Sequence, residues 1–265
     1  PIESKLFDFM NALHDIREKK ITSIIPLQVT FVEDPVRMIR CIKYATSTQF
    51  RISFRLRRAI HKYAGELQRC STSRMTEELF KILMSGYSAP ILRSMHEYGL
   101  LIYMLPVIAE SVPRKGHNPL SDALFASLET YDTEIRDNGK GPLNGNDAKQ
   151  GTQPPEETAR KSRAIAALAG PLITFPDEYE NTHVLFKDIF KLIKQLIAPL
   201  TPPNYEVEKT VAILFRNEGH KVPKNAVRKP NPPLHTKQKN YRRNTLRRKK
   251  GHSRRGDPKR QTASS

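Results

Sequence analysis

The sequence predicts an all-α fold, a helical array that ends in a basic tail. Apolar residues recur at the spacing i, i+3, i+4 and i+7 in segment after segment up to about residue 218, which is the pattern of one helix face. Residues typical of helix starts and helix ends flank these segments. Only residues 5–10 are predicted as a short strand, and no fixed-period repeat is present.

The first half of the chain predicts four helices. The first begins at Asp34 and Pro35, a helix-capping residue followed by the residue that favours the first helical position. The third begins near Ser73 and stops at Gly86, a natural residue for a helix end. The fourth spans 90–99. The predicted inward stripes of the first three helices are Met38, Cys41, Ile42 and Ala45; Leu56, Ala59, Ile60, Tyr63, Ala64 and Leu67; and Met75, Leu79, Ile82 and Leu83.

The second half predicts four more helices around a long loop. One begins at Pro119, and the others lie at about 158–169, 181–197 and 206–218. Residues at about 138–157 are rich in Gly, Pro, Asn and Gln, which predicts a surface loop or linker. The helix that begins at Pro119 is predicted to bury the face Leu120, Ala123, Leu124, Leu128, Tyr131 and Ile135.

The charge of the chain indicates a polyanionic partner. The formal net charge is +18 over 265 residues. Most of it lies at the C-terminus, since residues 216–265 hold seventeen Lys and Arg against two acids. This segment has Tyr241 as its one aromatic residue and is predicted to be disordered when free, because it cannot bury enough apolar surface to offset its ordering entropy. A solubilising tail or a nuclear import signal is the alternative.

Several classes of protein are not predicted. The longest apolar runs are interrupted by Pro or Gly and are shorter than the roughly 20 residues that span a bilayer. No secretory pattern opens the sequence, and Cys41 and Cys70 are the only cysteines, so a reducing, cytoplasmic location is expected. No metal site is predicted, because His96, His117 and His183 lack the spacing of metal ligands.

The segment FVEDPVRMIRCIKYA is predicted to bring carboxylates and guanidinium groups to one surface. Arg37, Arg40 and Tyr44 lie at i, i+3 and i+7 of the first helix, opposite its apolar stripe, with Glu33 and Asp34 at its N-terminal end. Such a set can read the edge of a nucleobase, because a carboxylate accepts from an amine and Arg donates in a planar fork. The residues alone leave a structural alternative open, in which Asp34 caps the helix, Arg37 pairs with it and Arg40 is solvated.

The chain resembles the neck region of the bacterial poly(A) polymerase and tRNA CCA-adding nucleotidyltransferase family over about residues 6–106. The resemblance lies in the segments FDFMNALHDIREKKI, FVEDPVRMIRCIKYATSTQFRIS, STSRMTEELFKILMSG and LRSMHEYGLLIYMLP. The family's Glu-Asp-x-x-Arg motif, which helps to select the incoming base, matches Glu33, Asp34 and Arg37. Its Arg-x-x-x-Glu matches Arg74 and Glu78, for which an intrahelical i,i+4 ion pair is the alternative. The resemblance therefore implies a nucleotide-binding set of Glu33, Asp34, Arg37, Arg40, Arg74 and Glu78.

The resemblance also implies ATP as substrate, RNA 3′ ends as partner, and Mg²⁺ held by a catalytic head domain. The basic tail favours a poly(A) polymerase over a CCA-adding enzyme. Tail side chains are expected to contact RNA phosphates without reading sequence. The residues expected to do so are Arg242, Arg243, Arg247, Arg248, Lys249, Lys250, Arg254 and Arg255.

Two departures from the family pattern stand out. Family members usually carry paired glycines where this chain has Asn11 and Ala12, which puts the turn geometry there in question. No Asp-x-Asp pair and no Gly-rich nucleotide-binding segment is present, so no catalytic residue is assigned. The expectation is a fragment, or the product of a truncated or split gene, that is inactive alone.

Four regions are expected on this basis. They are a head-to-neck remnant at 1–30, neck helices at 31–110, a helical RNA-binding body at 111–218 and a basic tail at 219–265. The alternatives to a poly(A) polymerase are a CCA-adding enzyme, a catalytically dead stand-alone RNA-binding protein and an unrelated helical scaffold.

Overall fold

Helices dominate the structure, a computed structural model that describes residues 7–228 apart from 115, 117, 138–154, 177 and 180. The predicted all-α fold is confirmed, since the described residues form twelve α-helices and only one pair of short strands. In chain order the first elements are α1 (Ala12–Arg17), β1 (Lys20–Ile21), α2 (Leu27–Glu33), α3 (Val36–Thr48), β2 (Arg51–Ile52), α4 (Phe54–Tyr63) and α5 (Thr72–Leu83). The later ones are α6 (Ser88–Glu97), α7 (Leu101–Met104), α8 (Pro106–Ser111), α9 (Pro119–Asp137), α10 (Pro155–Ala169), α11 (Thr182–Leu196) and α12 (Asn204–Asn217), with 3-10 helices at Ala64–Arg69 and Gly170–Leu172.

The described N-terminal residues form a turn rather than the predicted strand. The Asp8 carboxylate accepts hydrogen bonds from the backbone N–H groups of Ala12 and Leu13, both at 2.8 Å. These bonds begin α1, so the strand prediction is wrong for residues 7–10, while residues 5–6 lie outside the described part. They also lower the pKa of Asp8. Asn11 sits in the left-handed region with φ 57°, a conformation that asparagine tolerates without glycine.

The two strands that do form are two residues long. They pair in parallel, Lys20 opposite Arg51 and Ile21 opposite Ile52. Strands this short carry no alternation to detect, which is why the sequence did not predict them.

The predicted stripes of α3, α4 and α5 are buried as one hydrophobic core. Met38, Ile60 and Ile82 are fully buried, and Tyr63 is half-buried against the ring of Phe31. Cys41 is half-buried on the same stripe, and burial raises the pKa of its thiol to about 12. It is therefore a packing residue rather than a ready nucleophile.

Helix α9 buries most of the predicted face but not all of it. Leu120 and Ala123 are exposed, so their assignment to the core was wrong. Phe125 points inward instead, because its ring buries far more apolar surface than the methyl group of Ala123. The buried residues of α9 are Ser121, Leu124, Phe125, Leu128, Tyr131 and Asp132.

Asp132 lies on that buried face because it caps a neighbouring helix. Its two carboxylate oxygens accept from the backbone N–H groups of Ser88 and Ala89, at 2.8 and 2.9 Å, at the start of α6. Burial raises the pKa of Asp132, and these two hydrogen bonds oppose the rise. A charged residue on an inward face thus joins α6 to α9.

The C-terminal helices pack as a group in which α10 contacts α9 and α12, and α11 contacts α12. Helix α10 begins at Pro155, so the predicted loop at 138–157 extends too far, and residues 138–154 lie outside the described part. Proline at the first helical position explains the earlier start. No helix among the described residues is long and apolar enough to cross a membrane.

The described residues after α12 are packed as far as Arg228, whereas the predicted tail begins at residue 219. His220 stacks on Phe175 with ring centroids 5.3 Å apart. The backbone N–H of Arg228 donates to Glu208 at 2.8 Å, and its guanidinium pairs with the same carboxylate. Val222, Ala226 and Val227 are partly buried and pack against the hydrophobic core. The predicted RNA-binding side chains of the tail lie outside the described residues.

Candidate functional site

Two ion pairs cross between the start of α3 and α5. Arg74 on α5 donates to Asp34 with Nη2 2.9 Å from Oδ2. Arg40 on α3 donates to Glu78 on α5 through Nη2 at 2.8 Å and Nε at 3.1 Å. Helix α5 therefore supplies one guanidinium group and one carboxylate, which pair with Asp34, two residues before α3, and with Arg40 on α3. The arrangement fixes α3 relative to α5. We call Asp34, Arg37, Arg40, Arg74 and Glu78 the crossed cluster.

The crossing corrects the alternative in which Arg74 and Glu78 pair within one helix. Both residues lie on α5 at i and i+4, but each pairs with a residue about 40 positions away in sequence. Glu78 is almost fully buried, with a side chain 1% exposed, whereas Arg74 is 44% exposed. The two side chains thus lie in different environments. Instead of pairing with each other, Glu78 pairs with Arg40 and Arg74 pairs with Asp34.

The structural alternative, in which the Asp34 side chain caps α3, is wrong. Helix α3 begins at Val36 without a side-chain cap, and Asp34 contributes its backbone carbonyl, which accepts from the N–H of Arg37 at 3.0 Å. The carboxylate is thereby free for the ion pair with Arg74. Its second oxygen, Oδ1, is buried and has no hydrogen-bond donor among the described residues.

Arg37 bridges Asp34 and helix α2. Its Nε lies 3.5 Å from Asp34 Oδ2, so the predicted i,i+3 contact is present but long. Its Nη1 donates to the hydroxyl of Thr30 at 2.8 Å. The side chain is 38% exposed, which leaves part of the guanidinium open to a ligand.

Glu78 is the buried centre of the cluster. Its Oε1 also accepts from Lys81 at 3.0 Å, and its Oε2 lies 3.9 Å from Lys43 Nζ. Burial by itself raises the pKa of Glu78, but the hydrogen bonds and charges of Arg40 and Lys81 outweigh burial and lower it. The hydrogen bond between Arg40 and Glu78 raises the pKa of Arg40. Burial lowers the pKa of Lys43. Glu78 is therefore held ionised.

The remaining predicted members lie at the edge of the cluster. Glu33 is the last residue of α2 and is exposed, so the predicted convergence of two carboxylates reduces to Asp34 alone. Tyr44 is 50% exposed on α3, one turn beyond Arg40. Both stay predictions as nucleotide contacts.

Three residues that touch the cluster were not predicted. Lys81 lies three residues after Glu78 on the same helix, a spacing that can be recognised in a sequence. Thr30 and Lys43 had no such signal. Thr30 reaches Arg37 only because the chain bends between α2 and α3 at Asp34 and Pro35.

Among the residues that the structure describes, no group of three His, Cys, Asp or Glu side chains is arranged to hold a metal ion. His96 is buried and its Nε2 lies 2.8 Å from the backbone carbonyl oxygen of Val112, which accounts for it structurally. Burial lowers its pKa.

Comparison with known proteins points to one family. The family described as "Probable RNA and SrmB- binding site of polymerase A" matches residues 49–111, which include α4 to α8. Poly(A) polymerase I of Escherichia coli O6:H1 is 28% identical over 128 residues, 48% of this chain and 28% of that protein. Poly(A) polymerase I of Haemophilus influenzae is 23% identical over 137 residues, 52% of this chain and 30% of that protein. The CCA-adding enzyme of Bacillus licheniformis is 32% identical over 98 residues, 37% of this chain and 25% of that protein.

Over the matched part of the chain, the predicted resemblance to the bacterial poly(A) polymerases and CCA-adding enzymes is confirmed. The chain spans 28% of the length of the E. coli relative.

Proposed function

We propose that the chain is the nucleotide-selecting and RNA-binding part of a poly(A) polymerase, which adds AMP from ATP to RNA 3′ ends. One observation carries the proposal. Asp34 and Arg37, two of the three residues that match the family's base-selection motif, meet Arg74 where α2 ends and α3 begins. Basic composition at the C-terminus supports the choice of a poly(A) polymerase.

Base selection follows from the unequal contacts of Asp34. Arg74 holds Asp34 at 2.9 Å, whereas the contact with Arg37 is 3.5 Å, so the Arg37 contact is the one that a ligand replaces more easily. Asp34 then accepts from the exocyclic amine of adenine, and Arg37 donates to the ring nitrogen beside it. Cytosine can make the same two contacts, whereas the Watson–Crick edges of guanine and uracil cannot. The Oδ1 atom of Asp34, which lacks a donor, gains one.

Arg74, Arg40 and Glu78 are positioning residues in this scheme. Arg74 keeps the Asp34 carboxylate in place, and the Arg40–Glu78 pair keeps α3 at a fixed distance from α5. The described residues do not fit Mg²⁺, so no step is assigned to a metal on this chain. We assign the metal ions and the transfer chemistry to a catalytic domain of the family type.

An exposed apolar surface favours this proposal over a stand-alone RNA-binding protein. Nine large apolar side chains between residues 7 and 32 are exposed, among them Phe9 at 86% and Ile24 at 73%. Surfaces of this kind mark contacts with another folded unit. The double variant Phe9→Ser/Ile24→Ser is expected to make the isolated chain more soluble without changing its RNA affinity. A loss of RNA affinity contradicts the assignment of these side chains to a contact with another folded unit.

The second candidate is a CCA-adding enzyme, favoured by the 32% identity to the Bacillus licheniformis enzyme. The two candidates differ in the bases that they accept. A poly(A) polymerase prefers ATP over the other three nucleotides, whereas an enzyme that adds C and A accepts both CTP and ATP.

The test measures the equilibrium binding of ATP, CTP, GTP and UTP to the full chain by ligand-observed NMR. We expect a preference for ATP over GTP and UTP that Arg37→Ala reduces by about tenfold, the value of one lost hydrogen bond to a charged group of about 1.5 kcal/mol. The matched control is Arg93→Ala, since Arg93 is 41% exposed and pairs with Glu129 at 3.1 Å away from the cluster. Equal preference in Arg37→Ala and in the unaltered chain contradicts base selection by the crossed cluster.

A further inference from the structure

The outward face of α4 combines unpaired cations with an exposed aromatic ring. The segment RISFRLRRAIHKYAG, residues 51–65, contains five Lys or Arg, one His and no acid. It is the most basic stretch among the described residues that also lies on a helix. This concentration of charge is separate from the crossed cluster, in which each arginine has a carboxylate partner.

Helical spacing places these side chains on one side. Phe54, Arg58, His61 and Lys62 lie at i, i+4, i+7 and i+8, and Arg55 lies beside them. All five are exposed, whereas Leu56, Ala59 and Ile60 point into the core. We call Phe54, Arg55, Arg58, His61 and Lys62 the α4 face. From Phe54 to Lys62 it extends about 12 Å along the helix, at 1.5 Å per residue.

The cations of the α4 face are available to a ligand. Within the described ranges, Arg55, Arg58 and Lys62 form no ion pair, and Lys62 lies over the Tyr63 ring at 5.1 Å. Arg57 and His61 contact Tyr98, the residue that follows α6, with Arg57 6.0 Å from the ring centroid and His61 stacked at 5.5 Å. The face is thus held in place by aromatic contacts while its charge stays uncompensated.

Phe54 gives the face a second kind of contact. Its side chain is 75% exposed at the first turn of α4, so the ring is accessible to a ligand. A cavity of about 370 Å³ opens beside the ring, lined by His14, Glu18, Lys20, Arg51, Ile52, Ser53 and Phe54. Its size falls in the range of small-ligand pockets, so a single base can enter it.

We infer that the α4 face binds single-stranded RNA, with Arg55, Arg58 and Lys62 on phosphates and Phe54 stacked on a base. The inference rests on the proposed function and assigns its RNA contact to particular residues. Unpaired cations beside an exposed aromatic ring match the phosphates and the unstacked bases of a single strand. An acidic protein segment matches only the cations of the α4 face and not its exposed ring. The family match over residues 49–111, whose description includes RNA, supports the choice of RNA.

The test compares variants of the full chain by fluorescence anisotropy with a labelled oligoadenylate of about 15 nucleotides, over a range of KCl concentrations. The triple variant Arg55→Gln/Arg58→Gln/Lys62→Gln is expected to lower affinity roughly tenfold or more. It is also expected to reduce the slope of log affinity against log salt by about 2, since each single-strand contact contributes about 0.7. Phe54→Ala is expected to lower affinity about fivefold to tenfold with the slope unchanged, because stacking releases no counterions.

A matched control removes the same charge elsewhere. Lys187, Lys191 and Lys194 are exposed at i, i+4 and i+7 on α11, within the region predicted as the RNA-binding body. Their replacement by Gln is expected to reduce the slope by less than the α4 variant does, because Lys191 is already paired with Asp188. Equal effects of the two triple variants overturn the assignment to α4. A loss on duplex RNA after Phe54→Ala equal to that on oligoadenylate overturns the single-strand assignment. No RNA binding by the unaltered chain contradicts the proposed function itself, whereas binding that the α4 variants leave unchanged contradicts only this inference.

Discussion

The crossed cluster and the α4 face use the same side chain for opposite purposes. In the crossed cluster Arg37, Arg40 and Arg74 each have a carboxylate within 3.5 Å. On the α4 face Arg55 and Arg58 have none among the described residues. Carboxylate partners direct the guanidinium groups and cancel their charge, whereas bare arginines keep their full charge for a mobile polyanion. Pairing thus distinguishes the proposed site of geometric selection from the proposed site of electrostatic attraction.

Burial follows the same division. Glu78 is 1% exposed, and the charges around it lower its pKa so that it stays ionised. A buried carboxylate of this kind gives up hydration and is retained only if its partners stay in place. The α4 face has no buried charge, so replacing Arg55 or Arg58 is expected to change the free energy of unfolding by no more than about 0.5 kcal/mol.

The largest effect is expected from the C-terminal tail, which extends the contrast to a third region. Deleting residues 237–265 removes twelve Lys and Arg and is expected to lower RNA affinity roughly hundredfold, with a shallower salt dependence. Anisotropy titration over a range of KCl concentrations measures it. A slope that equals that of the full chain shows that the tail only keeps the protein in solution.

The free energy of unfolding should depend on the charges of the crossed cluster more than on those of the α4 face. Glu78→Gln is expected to lower the free energy of unfolding by about 2 kcal/mol, because it leaves Arg40, Lys43 and Lys81 without their buried partner. The partial exposure of Arg40 and Lys81 keeps the loss below that of a fully buried pair. Urea denaturation measures it.

Glu77→Gln is the matched control, since the neighbouring Glu77 is exposed. It is expected to change the free energy of unfolding by no more than about 0.5 kcal/mol. Equal losses from the two variants exclude a structural role for the buried carboxylate.

A smaller effect is expected from pH. The pKa of Glu78 is lowered in the folded state from an ordinary value of 4.5. Its stabilising contribution is therefore complete above about pH 4.5 and is lost as the pH falls through the folded-state pKa. The stability gap between the unaltered chain and Glu78→Gln should narrow in acid.

Asp132 provides the opposite sign, because its pKa is raised. Its contribution is complete below the ordinary value of 3.8 and is lost as the pH rises through the folded-state pKa. The gap between the unaltered chain and Asp132→Asn should therefore widen in acid, and parallel trends for the two variants contradict the assigned environments.

Periodicity predicted the helices of the crossed cluster but not its pairing. The stripes of α3 and α5 follow from spacing alone, since a helix face is a local property. The same local rule suggested a pair between Arg74 and Glu78, whereas packing of α3 on α5 pairs each with a residue about 40 positions away. Such pairs depend on how two helices meet, which spacing within one helix does not determine.

The buried carboxylate on α9 escaped prediction for a related reason. Asp132 is buried because the first N–H groups of α6 need acceptors, and those groups lie more than 40 residues earlier in the chain. An acid on an inward face conflicts with the apolar pattern unless its distant partner is known.

The most direct test of the division between selection and attraction is the salt dependence of RNA affinity in two double variants. Arg37→Ala/Arg74→Ala and Arg55→Ala/Arg58→Ala each remove two positive charges. We predict that the first leaves the slope of log affinity against log salt unchanged, while the second reduces it by about 1.4, or two contacts of about 0.7. Equal reductions in both variants would contradict the division, since the paired arginines would then contact RNA phosphates as the unpaired ones do.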